Sequence, residues 1–513
     1  MRKLIQISLV ALAASTATAT TVAAQEFGGT LTVAHNAAFP RSDPHFIQGQ
    51  VNSTVYAHVY EMLVTVGEDM APTLQVADSY EVSDDGLTYT FHLRDGVPFH
   101  NGDTMTSADV LASWERYKEF SPGAKSLGPI VEMSAPDDMT FVFKLDAANP
   151  LFLESIISPT YPIAIIPEEE AAKPQEQIDP IGTGPYKFAE IVSDDRVVLE
   201  RFDDYAVDED SPDGYNGYAG KRIAYLDRIV FRVIPEANTR AATVEAGEAD
   251  LTSIIPYSTL TRLVDTGRFQ DITFRQFAKA LFPMHTTSGP TTDVNFRKAV
   301  QAAMNAEEIL AIAWEGISAL DPSFLYSSSP YYDADNIAEF HNIGDADRAR
   351  ELLADSSYDG EEVIITANSN QGNQSMALVL REQLREAGIN AEVNFTDNAT
   401  FGAAMMDGTG GWHIGAVGYA AQPLAGPAAY FPILRAHTQM ETNETFESLT
   451  SQWLQEPDVE ERARIWQELE YWMFDNAYYL LAGDRGLTQV TTNAHQGFVP
   501  FYSMRFWNTW LEE

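Results

Sequence analysis

Two histidines and four acidic side chains fall within TYTFHLRDGVPFHNGDTMTSADVLASWERY, Thr88 to Tyr117. Imidazoles and carboxylates in such number are the material of a metal centre or an acid–base pair. Their spacing argues otherwise. Tyr89, Phe91 and Leu93 alternate with Thr88, Thr90 and His92, the period of a half-buried strand. The triplet RDG turns the chain, and Thr106 followed three residues later by Asp109 has a capping-box-like form. Val110, Trp114 and Tyr117 then share one helical face. The acids sit at turns and caps, where they satisfy backbone N–H groups. His92 and His100 lie eight residues apart across a turn, which is no zinc spacing. The stretch is expected to be scaffold.

Other chemistry is equally sparse. The ten histidines include no H-E-x-x-H pair, and neither a G-x-S-x-G elbow nor a G-x-x-x-x-G-K-[ST] loop occurs. There is no cysteine, so disulfides, thiolate metal sites and a lipid-bearing cysteine are excluded. In DEDSPDGYNG, residues 208–217, Asp208, Asp210 and Asp213 precede a glycine. Calcium is one reading and a solvated acidic loop the other; an EF-hand loop would need a terminal glutamate and different spacing. His285 and His413 are isolated, as structural histidines are. We expect no catalytic residue, no resident metal and no cofactor.

The elements that would position any site follow from periodicity. GGTLTVAHN alternates like a strand, and STVYAHVYEML has helical spacing. SAPDDMTFVFKL, RVVLERF and LDRIVFRVI read as strands. Later, NFRKAVQAAMNAEEILAIAWEG is helical, and DADRARELL begins on Asp345 as N-cap. EVIITAN is a strand, NQSMALVLREQLREAG a helix stopped by Gly388, and INAEVNF a strand again. That β-α-β order implies a right-handed crossover and a parallel sheet covered by helices. PDVEERARIWQELEYWMF is a last amphipathic helix. Two α/β lobes plus a β-richer section are expected. The 513 residues, 45% hydrophobic, suffice for several packed cores.

The formal net charge is −42. A surface so acidic repels phosphate backbones, so no nucleic-acid partner is expected. Met1, Arg2 and Lys3 precede the apolar run Leu4 to Ala14 and the small residues of TVAAQE. This is the form of a signal peptide, with cleavage expected after Ala24. The apolar run is shorter than the ~20 residues that span a bilayer. A soluble, exported, periplasmic protein without a lipid anchor is the expectation.

SYEVSDDGLTYTFHLRDGVPFHNGDTMTSADVLASWERY closely resembles a signature of the peptide/nickel/opine class of extracytoplasmic solute-binding proteins of ABC importers. GTGPY, Gly182 to Tyr186, is similar to a second family marker. The long run from Phe202 to Leu251 is similar to a third, and DVNFRKAVQAAMN, Asp293 to Asn305, to a fourth. The markers stand in family order along nearly the whole chain. The resemblance implies an α/β, type II periplasmic binding protein fold, with two lobes closing about a hinge and an additional third domain. Lobe I would comprise residues 25–62, 181–276 and 487–513. The extra domain would be 63–180, and lobe II 277–486, after a signal peptide of 1–24. It also implies a monomer that delivers a peptide, or a non-peptide solute such as an opine, oligosaccharide or metal chelate, to permease subunits in the inner membrane. An exported hydrolase is the remote alternative.

Peptide-binding relatives carry, in the segment matching Gly410 to Phe431, an aspartate that pairs with the ligand's α-amino group. Here the aromatic before it corresponds to Tyr419, and Ala421 or Gln422 fills the acid's place. No acid occurs from Gly408 to Thr438. An ammonium buried there forgoes a charge-assisted hydrogen bond of roughly 1.5–3 kcal/mol. Tyr419, Trp412, Tyr430 and Phe431 are candidates to line the cleft, unless they are core residues behind the sheet, and Gln422 is a candidate hydrogen-bonding group. Asn370, Gln371 and Asn373 follow a strand's C-terminus and are placed at the cleft. Phe39 is the candidate from the opposite lobe.

Overall fold

The computed structural model describes residues 25–39, 43–46, 50–128, 130–420 and 426–512. Gln422, one candidate above, lies outside the described residues.

Two large mixed sheets organise the chain. The first has seven strands in the order Phe269–Asp271, Gln489–Thr492, Leu251–Ser253, Thr30–His35, Arg228–Val233, Arg196–Arg201, Tyr186–Val192. Thr30–His35 is parallel to both of its neighbours. Both faces are covered: Leu31 and Val33 point into one core and Ala34 into another. A strand buried on both faces loses simple alternation, as TLTVAH shows.

The second sheet has six strands, ordered Ser318–Ala319, Tyr479–Leu487, Phe274–Pro283, Ile414–Tyr419, Val363–Ala367, Ala391–Phe395. The last three are mutually parallel, with the helix Gln371–Glu386 crossing between Val363–Ala367 and Ala391–Phe395. That is the expected β-α-β unit. Ala280 and Phe282 enter one core and Leu281 the other, so this sheet too is sandwiched.

The chain passes between the sheets twice, at Asp271 to Phe274 and at Leu487 to Gln489. The two crossings run side by side. Ile272 N–H donates to Gln489 O at 3.1 Å, and Phe274 pairs with Leu487.

A four-stranded antiparallel sheet, Ala77–Val82, Thr88–Leu93, Thr140–Leu145, Ile130–Asp137, stands apart. Its inward Phe91, Phe141 and Phe143 meet Trp114 of the helix Ser107–Phe120, with Trp114 and Phe143 ring centroids 4.4 Å apart. Each such burial contributes about 1.5–3 kcal/mol. Thr106 N–H donates to Asp109 Oδ2 at 2.8 Å, closing the cap expected from the sequence. Gly182 and Gly184 lie against the end of the helix Gln50–Val59, where a Cβ would stand 2.2 Å from Val59 O and 2.5 Å from His58 O. Only glycine permits that approach.

One expectation changes. The helical segment after Asn295 is two helices, Val294–Ala303 and Ala306–Ala313. Asn305 caps the second, its Oδ1 accepting from Glu308 N at 2.9 Å. An asparagine competes with the helix for its own backbone donors, and so breaks a run that hydrophobic spacing alone would continue.

Candidate functional site

His92 lies in its strand opposite Ser79 and Thr140. His100 is held by the backbone on both sides of its ring. Nδ1 accepts from Gly182 N–H at 3.2 Å, and Nε2 donates to Gly184 O at 3.0 Å. Burial lowers its pKa to about 4, so the ring is neutral. The opening stretch is tied to the GTGPY turn as scaffold. In the acidic loop Lys221 bridges Glu209 at 2.8 Å and Asp213 at 3.3 Å. Among the described residues no three His, Asp or Glu side chains cluster so as to hold a metal.

In sheets with parallel strands, ligands meet the carboxyl ends of those strands. In the first sheet those ends are His35, Val233 and Ser253. His35 and Ser253 line a cavity of about 40 Å³ with Asn36, Thr54, Ile254, Leu487, Gln489 and Met504. This cavity thus joins the strand ends to the crossing Leu487–Gln489. Ile254 adopts φ +55°, although 41% exposed. A β-branched residue is strained there. Its N–H donates to Thr488 O at 2.7 Å, and Thr488 Oγ1 donates to Ile255 O at 2.7 Å, which locks the turn onto the crossing.

In the second sheet the carboxyl ends are Ala367, Phe395 and Tyr419. After Ala367 the polar run Asn368 to Asn370 enters the helix Gln371–Glu386, with Asn370 Oδ1 accepting from Asn373 N at 3.2 Å. Asn373 Nδ2 donates to Asn368 Oδ1 at 3.0 Å, while Asn373 Oδ1, buried, has no partner among the described residues. Gln371 is exposed at the helix start. Gly372 packs on Trp314, whose ring a Cβ would meet at 2.0 Å.

Gly418 is solvent-exposed within a strand whose other residues are buried. A Cβ built on it would stand 3.3 Å from Arg485 Nη1 and 3.9 Å from Asn373 Oδ1. Arg485, from the strand Tyr479–Leu487, lies over the rings of Trp314 at 4.5 Å and Phe277 at 5.6 Å. Phe277 stacks on Tyr502, 6.3 Å between centroids, and Tyr502 belongs to the segment that has returned past the crossings. Tyr326 donates from its hydroxyl to Phe277 O at 2.9 Å. The open backbone of Gly418 is thus bordered by the Arg485 guanidinium, held over the rings of Trp314 and Phe277, and by the Asn373 amide.

The aromatic candidates are not among these neighbours of Gly418. Trp412 is fully buried, donating from Nε1 to Ala404 O at 3.0 Å. Tyr430 is fully buried with its hydroxyl on Phe324 O at 2.5 Å, and Phe431 packs on Trp453 at 5.4 Å. Tyr419 shares their core, its hydroxyl bonded to His437, on the face of the strand opposite Gly418. Phe39 packs on Phe231 at 5.4 Å in a core of the first sheet. The physical reason is the same in each case. Both faces of these sheets are covered, so an aromatic near a strand end is claimed by the layer behind it. Of the candidates, Asn373 reaches the edge beside Gly418. Arg485 was missed, although AGDRGL sets an arginine between glycines in a run otherwise buried.

Comparison with known proteins bears on the arrangement. The family model of bacterial extracellular solute-binding proteins, family 5 Middle, matches residues 71–437. A probable peptide ABC transporter periplasmic-binding protein, y4tO, from Sinorhizobium fredii is 26% identical over 485 residues, 91% of this chain and 90% of that one. The glutathione-binding protein GsiB of Pectobacterium atrosepticum is 25% identical over 494 residues, again 91% of this chain and 90% of its own. The crystal structure of the ABC transporter substrate-binding protein CtaP of Listeria monocytogenes superposes with a TM-score of 0.80 at 23% identity, covering 95% of this chain and 100% of that one. The fold is that of the two-lobe, type II periplasmic binding proteins.

Proposed function

The chain belongs to the bacterial extracellular solute-binding proteins of family 5, and from that premise we propose that it captures a peptide or peptide-like solute between its two lobes and hands it to the permease of an ABC importer. The permease subunits are those of the inner membrane, and the protein works as a monomer that performs no chemistry on the solute. It is exported, with the signal peptide removed after Ala24 and no lipid anchor. Among the described residues no helix is long and apolar enough to cross a membrane. The lobes are residues 25–62, 181–276 and 487–513 for the first, and 277–486 for the second, with 63–180 as a third domain. Sheet membership supports this division, since the chain leaves the first sheet after Asp271 and rejoins it at Gln489.

One observation carries the reading. In each sheet the carboxyl ends of the parallel strands lie on the side of the paired crossings, where a hinge would let two lobes close on a solute. The peptide class is supported by the names of the Sinorhizobium and Pectobacterium relatives. A second reading, a non-peptide solute such as an opine, oligosaccharide or metal chelate, is favoured by the missing acid between Gly408 and Thr438. In the test, the chain is melted with short peptides in excess and the peptides are assayed afterwards. A raised melting temperature with the peptides intact is expected. Cleaved peptides would contradict the function, and no shift with any peptide would favour the non-peptide solute.

A further inference from the structure

Resting on that capture reading, we propose that Arg485 is the anchor for a carboxylate of the captured solute, received over the open backbone of Gly418. The buried arginines show what such a group ordinarily requires. Arg116 pairs with Asp43 at 2.6 Å, Arg222 with Glu61, Arg462 with Glu154 at 2.9 Å and Arg505 with Glu68 at 2.9 Å. Arg240 and Arg297 have no carboxylate, but donate to backbone oxygens, Ile234 O and Pro235 O for the first, Thr291 O and Asn476 O for the second. Arg485 has neither. Among the described residues no carboxylate and no hydrogen-bond acceptor meets its guanidinium, in a chain with 74 acidic and 32 basic side chains.

What Arg485 does have is orientation and access. Trp314 and Phe277 hold the guanidinium, so its donor fork is set before a solute arrives. Burial pushes its pKa down to about 10, which leaves it charged at neutral pH. Nη1 borders the space that a Gly418 side chain would fill, and Gly418 is open to solvent. Asn373 Oδ1, buried and unpartnered, borders the same space. A guanidinium fork accepts a carboxylate through two parallel hydrogen bonds. An amide oxygen beside it accepts an N–H. A carboxylate and an N–H stand together on one terminal amino-acid residue, and both groups border the space over Gly418. The solute class is therefore a peptide-like molecule with a free terminal carboxylate, recognised at that end and not through its amine.

The probe is a digest of di- to pentapeptides in three portions: untreated, N-acetylated and methyl-esterified. Each is passed over the chain by ultrafiltration, and retained peptides are identified by mass spectrometry. Retention from the untreated and acetylated portions is expected, with retention from the esterified portion reduced about tenfold or more. Arg485→Gln should lose the preference for free carboxylates, and Arg485→Lys should keep part of it. Gly418→Ala crowds the space without removing a charge, and should lower retention at an unchanged melting temperature. Equal retention of esterified and untreated peptides by the unmodified chain would overturn the anchor while leaving peptide capture standing. No retention from any portion would overturn peptide capture, and the anchor with it.

Discussion

At His100 both ring nitrogens are committed to the backbone of Gly182 and Gly184, and burial lowers the pKa to about 4. Such a ring fastens one segment to another and has no lone pair left for a metal. Glutamine keeps an acceptor and a donor but not their spacing. His100→Gln should therefore cost about 1–2 kcal/mol of stability, the worth of one to two neutral hydrogen bonds. Solute affinity should stay within a few-fold. Thermal melts and a binding isotherm check both; abolished binding at an unchanged melting temperature would place His100 in the site. The same scale explains why the sequence leaves Tyr419 open between cleft and core. From the sequence it is an aromatic near a strand end, a good stacking platform. Its partners His437 and Tyr479 come from distant segments, and nothing in IGAVGY tells which face they cover. Gly418, one residue earlier, carries the exposed face because it has no side chain to bury.

At the scale of elements the sequence was informative wherever a local rule sufficed. The alternation in TYTFHL, the cap at Thr106, the Asp345 cap and the parallel unit around Gln371–Glu386 are all as expected. Order within the sheets was not legible, because it depends on pairings such as Val33 with Leu251, far apart in the chain. Arg485 escaped notice for the same reason: its ring partners Phe277 and Trp314 precede it by well over a hundred residues. Contacts between separate bodies are likewise invisible in sequence. Arg462, on the helix Val459–Asp475 beside the second sheet, reaches Glu154 of the helix Phe152–Ile156 at 2.9 Å. If solute release parts these two helices, the bond exists only in the closed form. Glu154→Gln should then weaken solute binding about fivefold, since a partly exposed pair is worth at most about 1 kcal/mol. A lowered melting temperature with affinity unchanged would show that the pair joins parts which never separate.

Over the whole molecule, two sheets buried on both faces leave little surface for function except their edges. Both sets of parallel strand ends turn to the side of the paired crossings, and among the described residues only those crossings link one sheet to the other along the chain. The formal net charge of −42 repels phosphate backbones. The central claim is that the protein holds a solute and returns it unaltered. Native mass spectrometry of the chain purified from its own periplasm tests this most directly, followed by release and identification of whatever is bound. The expected result is a single species beginning at Gln25, carrying one solute that is recovered chemically unchanged. A chain that carries nothing and gains no mass from any periplasmic extract, or one that returns a cleaved solute, would contradict it.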